Sequence, residues 1–142
     1  MGARLSDRLA AIVDALPLEP GLRVLEIGGA PGAAAVEVAR RVGESGHVLV
    51  IDRSAAGTAQ VRRRASDLID SGLLSVRCVA IEDFVLGPDE EPYDLAFAVR
   101  VGCLDGRHPR LGAAARHRIR DALHPYGRLL IDGGDPLQEI AV

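Results

Sequence analysis

The stretch Val24-Leu25-Glu26-Ile27-Gly28-Gly29-Ala30-Pro31-Gly32 decides how this chain is read. An apolar run carrying one acid ends in a glycine-rich turn, and an alanine-rich helical pattern follows. At the end of a second apolar run, residues 47–51, stands Asp52. A turn this rich in glycine lets a ligand approach the backbone. A carboxylate at the end of the second strand can accept hydrogen bonds from a ribose. Together they are how a nucleoside-containing cofactor is held on a doubly wound sheet.

Working outward, Leu5, Leu9, Ile12, Val13 and Leu16 recur at helical spacing and predict an opening amphipathic helix that ends near Pro17. Residues 22–27 are too short and too apolar for anything but a buried strand. Pro31 suits the first turn of the next helix, which runs to about Val42. Ser54 is placed to cap a third helix reaching about Asp70. A third strand over 73–81, a fourth over 93–101, a crossover helix over 111–123 and a fifth strand over 128–132 complete the pattern. His124-Pro125-Tyr126-Gly127 reads as the turn before the last strand, and Cys78, inside an apolar run, as a small core residue.

Strands joined by helical crossovers pair in parallel with right-handed connections. The expected fold is therefore α/β, a doubly wound, mostly parallel five-stranded sheet with helices on both faces. Residues 1–142 read as one domain: an N-terminal helix over 1–18, an α/β core over 19–135 and a tail over 136–142. The chain's fifth strand is then an exposed edge, which proteins normally cover. A homodimer, a tail folded over the edge, or a stripped-down enzyme would each account for it.

Composition narrows the function classes. Hydrophobic residues make up 48% of the chain and aromatic residues only 3%, so the core is aliphatic and stacking platforms for single-stranded nucleic acid are scarce. A net charge of −3 gives no general attraction to nucleic acid or an anionic membrane. Locally, Arg100, Arg107, Arg110, Arg116, Arg118 and Arg120 crowd one region with His108 and His117. That pattern reads first as a solvated helix face and second as a site for an anionic substrate or partner. Cys78 and Cys103 lack metal-type spacing, so no metal is expected, and two lone cysteines fit a reducing cytoplasm. No apolar run is long enough to span a membrane, and no signal-peptide core is visible. Met1 to Ser6 formally matches an N-myristoylation pattern, though the same residues serve as a helix start.

The glycine turn separates the rival cofactors. Gly28-Gly29-Ala30-Pro31-Gly32-Ala33 is a poor match to the nicotinamide fingerprint Gly-x-Gly-x-x-Gly, and a phosphate-binding loop fails for want of Gly-Lys-Ser/Thr. Glu26 points elsewhere: a phosphate avoids a carboxylate there, whereas a zwitterion with an ammonium group does not.

In these residues the chain resembles the class I S-adenosylmethionine-dependent methyltransferases. Val24 to Gly32 is similar to the family's first motif. Val48-Leu49-Val50-Ile51-Asp52 is similar to its acidic second strand end, and Ala80-Ile81-Glu82-Asp83 in part to its post-strand-three segment. Tyr93-Asp94-Leu95-Ala96-Phe97-Ala98-Val99 matches its fourth strand. Leu123-His124-Pro125-Tyr126-Gly127-Arg128-Leu129 matches the approach to its fifth. The resemblance covers residues 5–135 in order and spacing.

It implies the strand order 3-2-1-4-5 and S-adenosylmethionine as cofactor, with Glu26, Gly28, Gly29, Ala30, Gly32, Asp52, Arg53, Ile81, Glu82, Val99 and Arg100 as its binding residues. The glycine segment passes under the methionine portion and Glu26 organises the turn and the amino group. Asp52 takes the ribose hydroxyls, and Arg53 lies against adenine. Ile81 and Glu82 meet its edge, while Val99 and Arg100 border the methyl group. Three departures stand out. Ala30 replaces a glycine where the ligand comes close, Ala80 replaces an adenine-binding aspartate, and the family's strand six and seven hairpin is not seen. The reaction implied is methyl transfer to an acceptor expected to be a small molecule, with no nucleic-acid or membrane partner. The alternative is a non-catalytic cofactor-binding or partner-binding relative. Asp105 and His108, in the loop after strand four, are the available bases.

Overall fold

The computed structural model describes residues 5–142. The elements are α1 (Asp7–Ala15), β1 (Arg23–Ile27), α2 (Ala33–Val42), β2 (His47–Asp52), α3 (Ala55–Arg64), α4 (Ser66–Asp70) and β3 (Leu74–Cys78). A short 3-10 turn follows (Ile81–Asp83), then β4 (Tyr93–Ala98), α5 (Pro109–Ala122), β5 (Leu123–Asp132) and β6 (Leu137–Ile140). They build one six-stranded sheet in the order β3-β2-β1-β4-β5-β6. The first five strands pair in parallel; β6 lies antiparallel on β5, opposing Leu129 with Ile140 and Asp132 with Leu137.

The expected order 3-2-1-4-5 stands, but the sheet has six strands rather than five. The residues read as a tail, 136–142, carry the sixth. Its sequence, Leu-Gln-Glu-Ile, is half polar because it forms an edge, so no buried apolar run announces it. It covers the β5 edge, and Arg128 of β5 reaches across to Glu139 with a 2.9 Å hydrogen bond.

The central strands read as continuous apolar runs because both sheet faces are buried. On one face Val24, Val48, Val50, Leu95 and Phe97 pack against Val13 of α1, Ala35 and Val38 of α2 and Val61 of α3. On the other, Leu25, Ile27, Leu49, Ile51 and Ala98 pack against Ile81 and Phe84 and against Ala115, Ile119 and Ala122 of α5. Alternation along each strand divides the core in this way.

Local signals behave as their chemistry dictates. Ser6 caps α1 by accepting from the Leu9 amide, and Ser54 caps α3 by accepting from that of Gly57. The myristoylation match falls largely outside the described residues.

Several boundaries differ from expectation. Pro31 precedes α2, which begins after Gly32; its peptide with Ala30 is cis. The third helix divides at Ala65, which lets Leu68 and Ile69 turn back onto the core. The third strand stops at Cys78, and Ile81 opens the 3-10 turn. Cys78 is exposed rather than buried, because it ends an edge strand; its Sγ lies 3.6 Å from the Arg53 carbonyl. The fourth strand stops at Ala98, because Arg100 turns the chain with φ +59° and donates its amide to Asp132 at 2.9 Å. Residues 124–127 lie within β5 rather than in a preceding turn. They bulge between the Tyr93–Leu123 and Leu95–Arg128 pairs, where the His124 and Tyr126 rings stack and the Tyr126 hydroxyl donates to Asp94.

Candidate functional site

At the carboxyl ends of β1, β2 and β4 the sheet opens into a cleft of about 310 Å³. Crevices outside these strand ends, where the strand order reverses, are where open α/β sheets hold ligands. Its floor is Ile27, Gly28, Ile51 and Asp52, and its far wall is Val79, Ile81 and Glu82. Val101, Cys103, His108 and Leu111, from the loop after β4 and the start of α5, close the third side. A larger open groove of about 1030 Å³ runs between α2 and α3–α4, past Val36, Arg40, Arg63 and Leu68. No strand end contributes to it.

The glycine turn is drawn tightly over β2. The Gly28 amide donates to Ile51 at 2.8 Å, and the Ala30 amide donates to Asp52 Oδ2 at 3.1 Å. The other oxygen of Asp52 accepts from the Ser54 amide at 2.9 Å, so one carboxylate ties the turn to the start of α3. Gly28 has φ +69°, and a Cβ there would lie 2.9 Å from Val101. At Gly29 a Cβ would fall 2.7 Å from Val50 and 2.8 Å from the Glu26 carboxyl carbon. Only glycine leaves the backbone this close to its neighbours.

Glu26 lies beneath this turn, 4% exposed, opposite Val50 of β2 and Phe97 of β4. Among the described residues its Oε1 has no hydrogen-bond partner. Burial pushes its carboxyl up to about 8, and the nearby negative charge of Asp52 adds to the rise. A buried acid without a partner is a costly arrangement that a cationic ligand group relieves.

Across the cleft mouth, Arg53 donates to Glu82 at 2.7 Å, joining the end of β2 to the 3-10 turn. Arg100 lines the cleft, and among the described residues no carboxylate lies within 4 Å of its guanidinium. Arg107 is held by Asp105 and by the Arg100 carbonyl at 2.7 Å. The Arg107 hydrogen bond holds the Asp105 carboxyl below its ordinary range. That engagement makes Asp105 a brace for the loop and a poor proton acceptor.

Of the residues named from the sequence, Gly28, Asp52, Arg53, Ile81, Glu82, Arg100 and His108 line the cleft. Glu26, Gly29, Ala30 and Gly32 form or support the turn beside it. Val99 packs toward the α2 side of the sheet, and Asp105 stands outside the lining. The Ala30 methyl, expected to crowd the ligand, faces α3. A Cβ on Gly57 would lie 2.8 Å from it, so Gly57 makes the room that Ala30 takes.

The lining from Val101, Gly102, Cys103 and Leu111 was not singled out for cofactor contact. Their apolar character also serves a core, so composition alone does not separate the two. For Val101, Gly102 and Cys103 the available signal is their position in the loop after β4; Leu111, in the first turn of α5, carries none.

The sheet order, the glycine turn and the acidic end of β2 define the S-adenosylmethionine-dependent methyltransferase fold. More particularly, residues 5–104 match the family model of protein-L-isoaspartate(D-aspartate) O-methyltransferase, and the chain belongs to that family. It is 30% identical over 135 residues to a protein-L-isoaspartate O-methyltransferase of Methanothrix thermoacetophila, covering 94% of this chain and 58% of that protein. It is 34% identical over 94 residues to one from Thermotoga maritima, covering 66% of this chain and 28% of that one. Among solved structures it is similar to an S-adenosylmethionine-dependent methyltransferase from Thiobacillus denitrificans in complex with S-adenosylhomocysteine. That likeness has a TM-score of 0.67 at 27% identity, over 89% of this chain and 48% of that one. The chain thus spans less than two thirds of the length of these relatives. No helix among the described residues is long and apolar enough to cross a membrane.

Proposed function

We propose that this chain binds S-adenosylmethionine in the cleft at the ends of β1, β2 and β4 and serves methyl transfer to a carboxylate oxygen of a peptide. The observation that carries the reading is the meeting of the glycine turn with Asp52 directly above a buried, unpartnered Glu26. The bare backbone at Gly28 and Gly29, packed onto Val101, Val50 and Glu26 with no side chain between, forms a thin turn that suits close approach of a ligand, and the orphaned Glu26 oxygen suits an ammonium group.

In this reading Asp52 accepts from the ribose hydroxyls through lone pairs its two amide donors leave free. Arg53 lies flat on adenine, held there by Glu82, while Ile81 and Glu82 meet the adenine edge. Glu26 receives the ammonium group and Gly28 to Gly32 follow the methionine portion. When bound, the cofactor supplies a methyl group on a positively charged sulfur, already activated for in-line displacement. The protein's task is alignment and exclusion of water.

Family membership and local charge support this acceptor. The relatives' names specify protein isoaspartate, and Arg100 presents at the cleft a guanidinium that meets no carboxylate among the described residues, suited to orienting one. A carboxylate is ionised at neutral pH and needs no general base, so neither Asp105 nor His108 has a proton to take. The small-molecule acceptor expected from the sequence remains the competing outcome.

The test is incubation with labelled S-adenosylmethionine and an isoaspartyl peptide, its aspartyl counterpart and a set of small carboxylic acids. An alkali-labile methyl ester on the isoaspartyl peptide is expected. Turnover of small acids alone identifies a small-molecule enzyme. Tight binding of S-adenosylhomocysteine with no turnover on any acceptor identifies a non-catalytic binding protein.

A further inference from the structure

Glu26 places an ionisable side chain in apolar surroundings. It sits on the interior of β1, with apolar Val50 and Phe97 on the two neighbouring strands. The first turn of α2 carries only alanines, and α3 buries Thr58 and Val61. Among the described residues no arginine or histidine side chain bonds to it; the one charged group acting on it is Asp52, of like sign. Its Oε1 accepts no hydrogen bond. The Gly29 backbone lies directly on the carboxyl, where a Cβ would fall 2.8 Å from the carboxyl carbon, so only the bare backbone of the glycine turn covers that side of it.

We propose that Glu26 makes cofactor capture proton-coupled: the free protein holds it as the neutral acid, and the arriving ammonium group displaces its proton to solvent. The inference rests on the cofactor reading above. The balance is simple. The neutral acid and the ligand's ammonium become a carboxylate–ammonium pair plus one proton taken up by buffer, and no covalent bond other than the acid's O–H changes.

Its physical basis is the low-dielectric setting. A lone carboxylate there is disfavoured by burial and by Asp52, which is why the carboxyl lies near 8 without a partner. A cation brought within hydrogen-bonding distance reverses that preference. The arrangement also selects for charge: a ligand with the same nucleoside but no ammonium has nothing to offer Glu26. Below about pH 8 the displaced proton opposes binding, so affinity should rise with pH by on the order of tenfold per unit until Glu26 ionises unaided.

The experiment is calorimetric titration of S-adenosylhomocysteine at pH 7 in buffers of differing ionisation enthalpy. Release of about one proton per ligand is expected. Methylthioadenosine, which keeps the nucleoside and sulfur but lacks the ammonium, should bind without proton release. Glu26→Gln should bind S-adenosylhomocysteine with no buffer-dependent heat and with its pH slope lost. Binding of S-adenosylhomocysteine to the unaltered protein with buffer-independent heat overturns the coupling while leaving the cofactor reading intact. Undiminished proton release in Glu26→Gln assigns the proton elsewhere and overturns it too. Failure of S-adenosylhomocysteine to bind at all overturns the cofactor reading and the coupling together. The comparison of the two ligands on the unaltered protein needs no variant to fold.

Discussion

The Asp52 carboxylate accepts a 3.1 Å hydrogen bond from the Ala30 amide, clamping the glycine turn onto the end of β2. The same side chain caps the chain at Ser54. Asp52 therefore both shapes the turn and faces the cleft. Replacing it with alanine should lower affinity for S-adenosylhomocysteine by roughly 10- to 100-fold, the equivalent of charge-assisted hydrogen bonds worth about 1.5–3 kcal/mol. Calorimetry on the variant checks this. Unchanged affinity would remove Asp52 from the ribose role.

Gly29 leaves no room for a side chain. An added methyl would stand 2.7 Å from Val50 and 2.8 Å from Glu26. Gly29→Ala should cost about 1–3 kcal/mol through overpacking. Urea unfolding measures it. A variant as stable as the parent would show that the turn can open without penalty.

The unliganded protein should become less stable as pH rises from about 4.5, the ordinary value for a glutamate, to about 8 in the fold. The sign follows from the raised folded value. Below 4.5 Glu26 is protonated in both states and costs nothing. Between the two values the unfolded chain ionises freely while the folded one cannot, so unfolding gains. Chemical denaturation at pH 5 and pH 8.5, compared with Glu26→Gln, isolates this contribution. An equal pH profile in the variant would refute it.

Glu90 acts in the opposite direction. Burial would raise its carboxyl, but hydrogen bonds from Arg77, Tyr93 and the Gly87 amide overcome that and bring it to about 2. Its stabilisation is complete above about 4.5 and is lost as pH falls toward 2. Glu90→Gln should therefore be less stable than the parent at neutral pH and nearly equal to it at pH 2. Thermal melts across that window test the convergence.

Arg100 holds a left-handed backbone, φ +59°, at the turn where β4 meets the cleft. Arg100→Gly removes that strain and the guanidinium together. Stability should hold or rise by about 1 kcal/mol, since left-handed backbone costs an ordinary residue roughly 1–2 kcal/mol and glycine little. The KM for the peptide acceptor should rise. A variant with an unchanged acceptor KM would free Arg100 from substrate recognition.

Much of this was legible along the chain because the relevant physics is local. Residues 23–27, 47–52 and 93–98 are apolar runs because their strands are buried on both faces, and such runs identify themselves. The caps Ser6 and Ser54 act within three residues of themselves. Gly28 and Asp52 lie at a spacing set by one βαβ unit. The edge residues were harder to read. Leu137–Ile140 alternates too little to mark a strand, and Cys78 looks buried until its strand is known to be outermost.

The sequence by itself determined the parallel strands with their helical crossovers, the glycine turn and the acidic end of the second strand. Each depends on periodicity or on spacing within one supersecondary unit. Tertiary structure alone decided that Gly57 makes room for the Ala30 methyl, that Arg53 reaches Glu82, and that Glu26 is buried without a partner. These relationships join residues on different elements, and burial and electrostatic environment are set by what packs around a side chain, not by its neighbours along the chain.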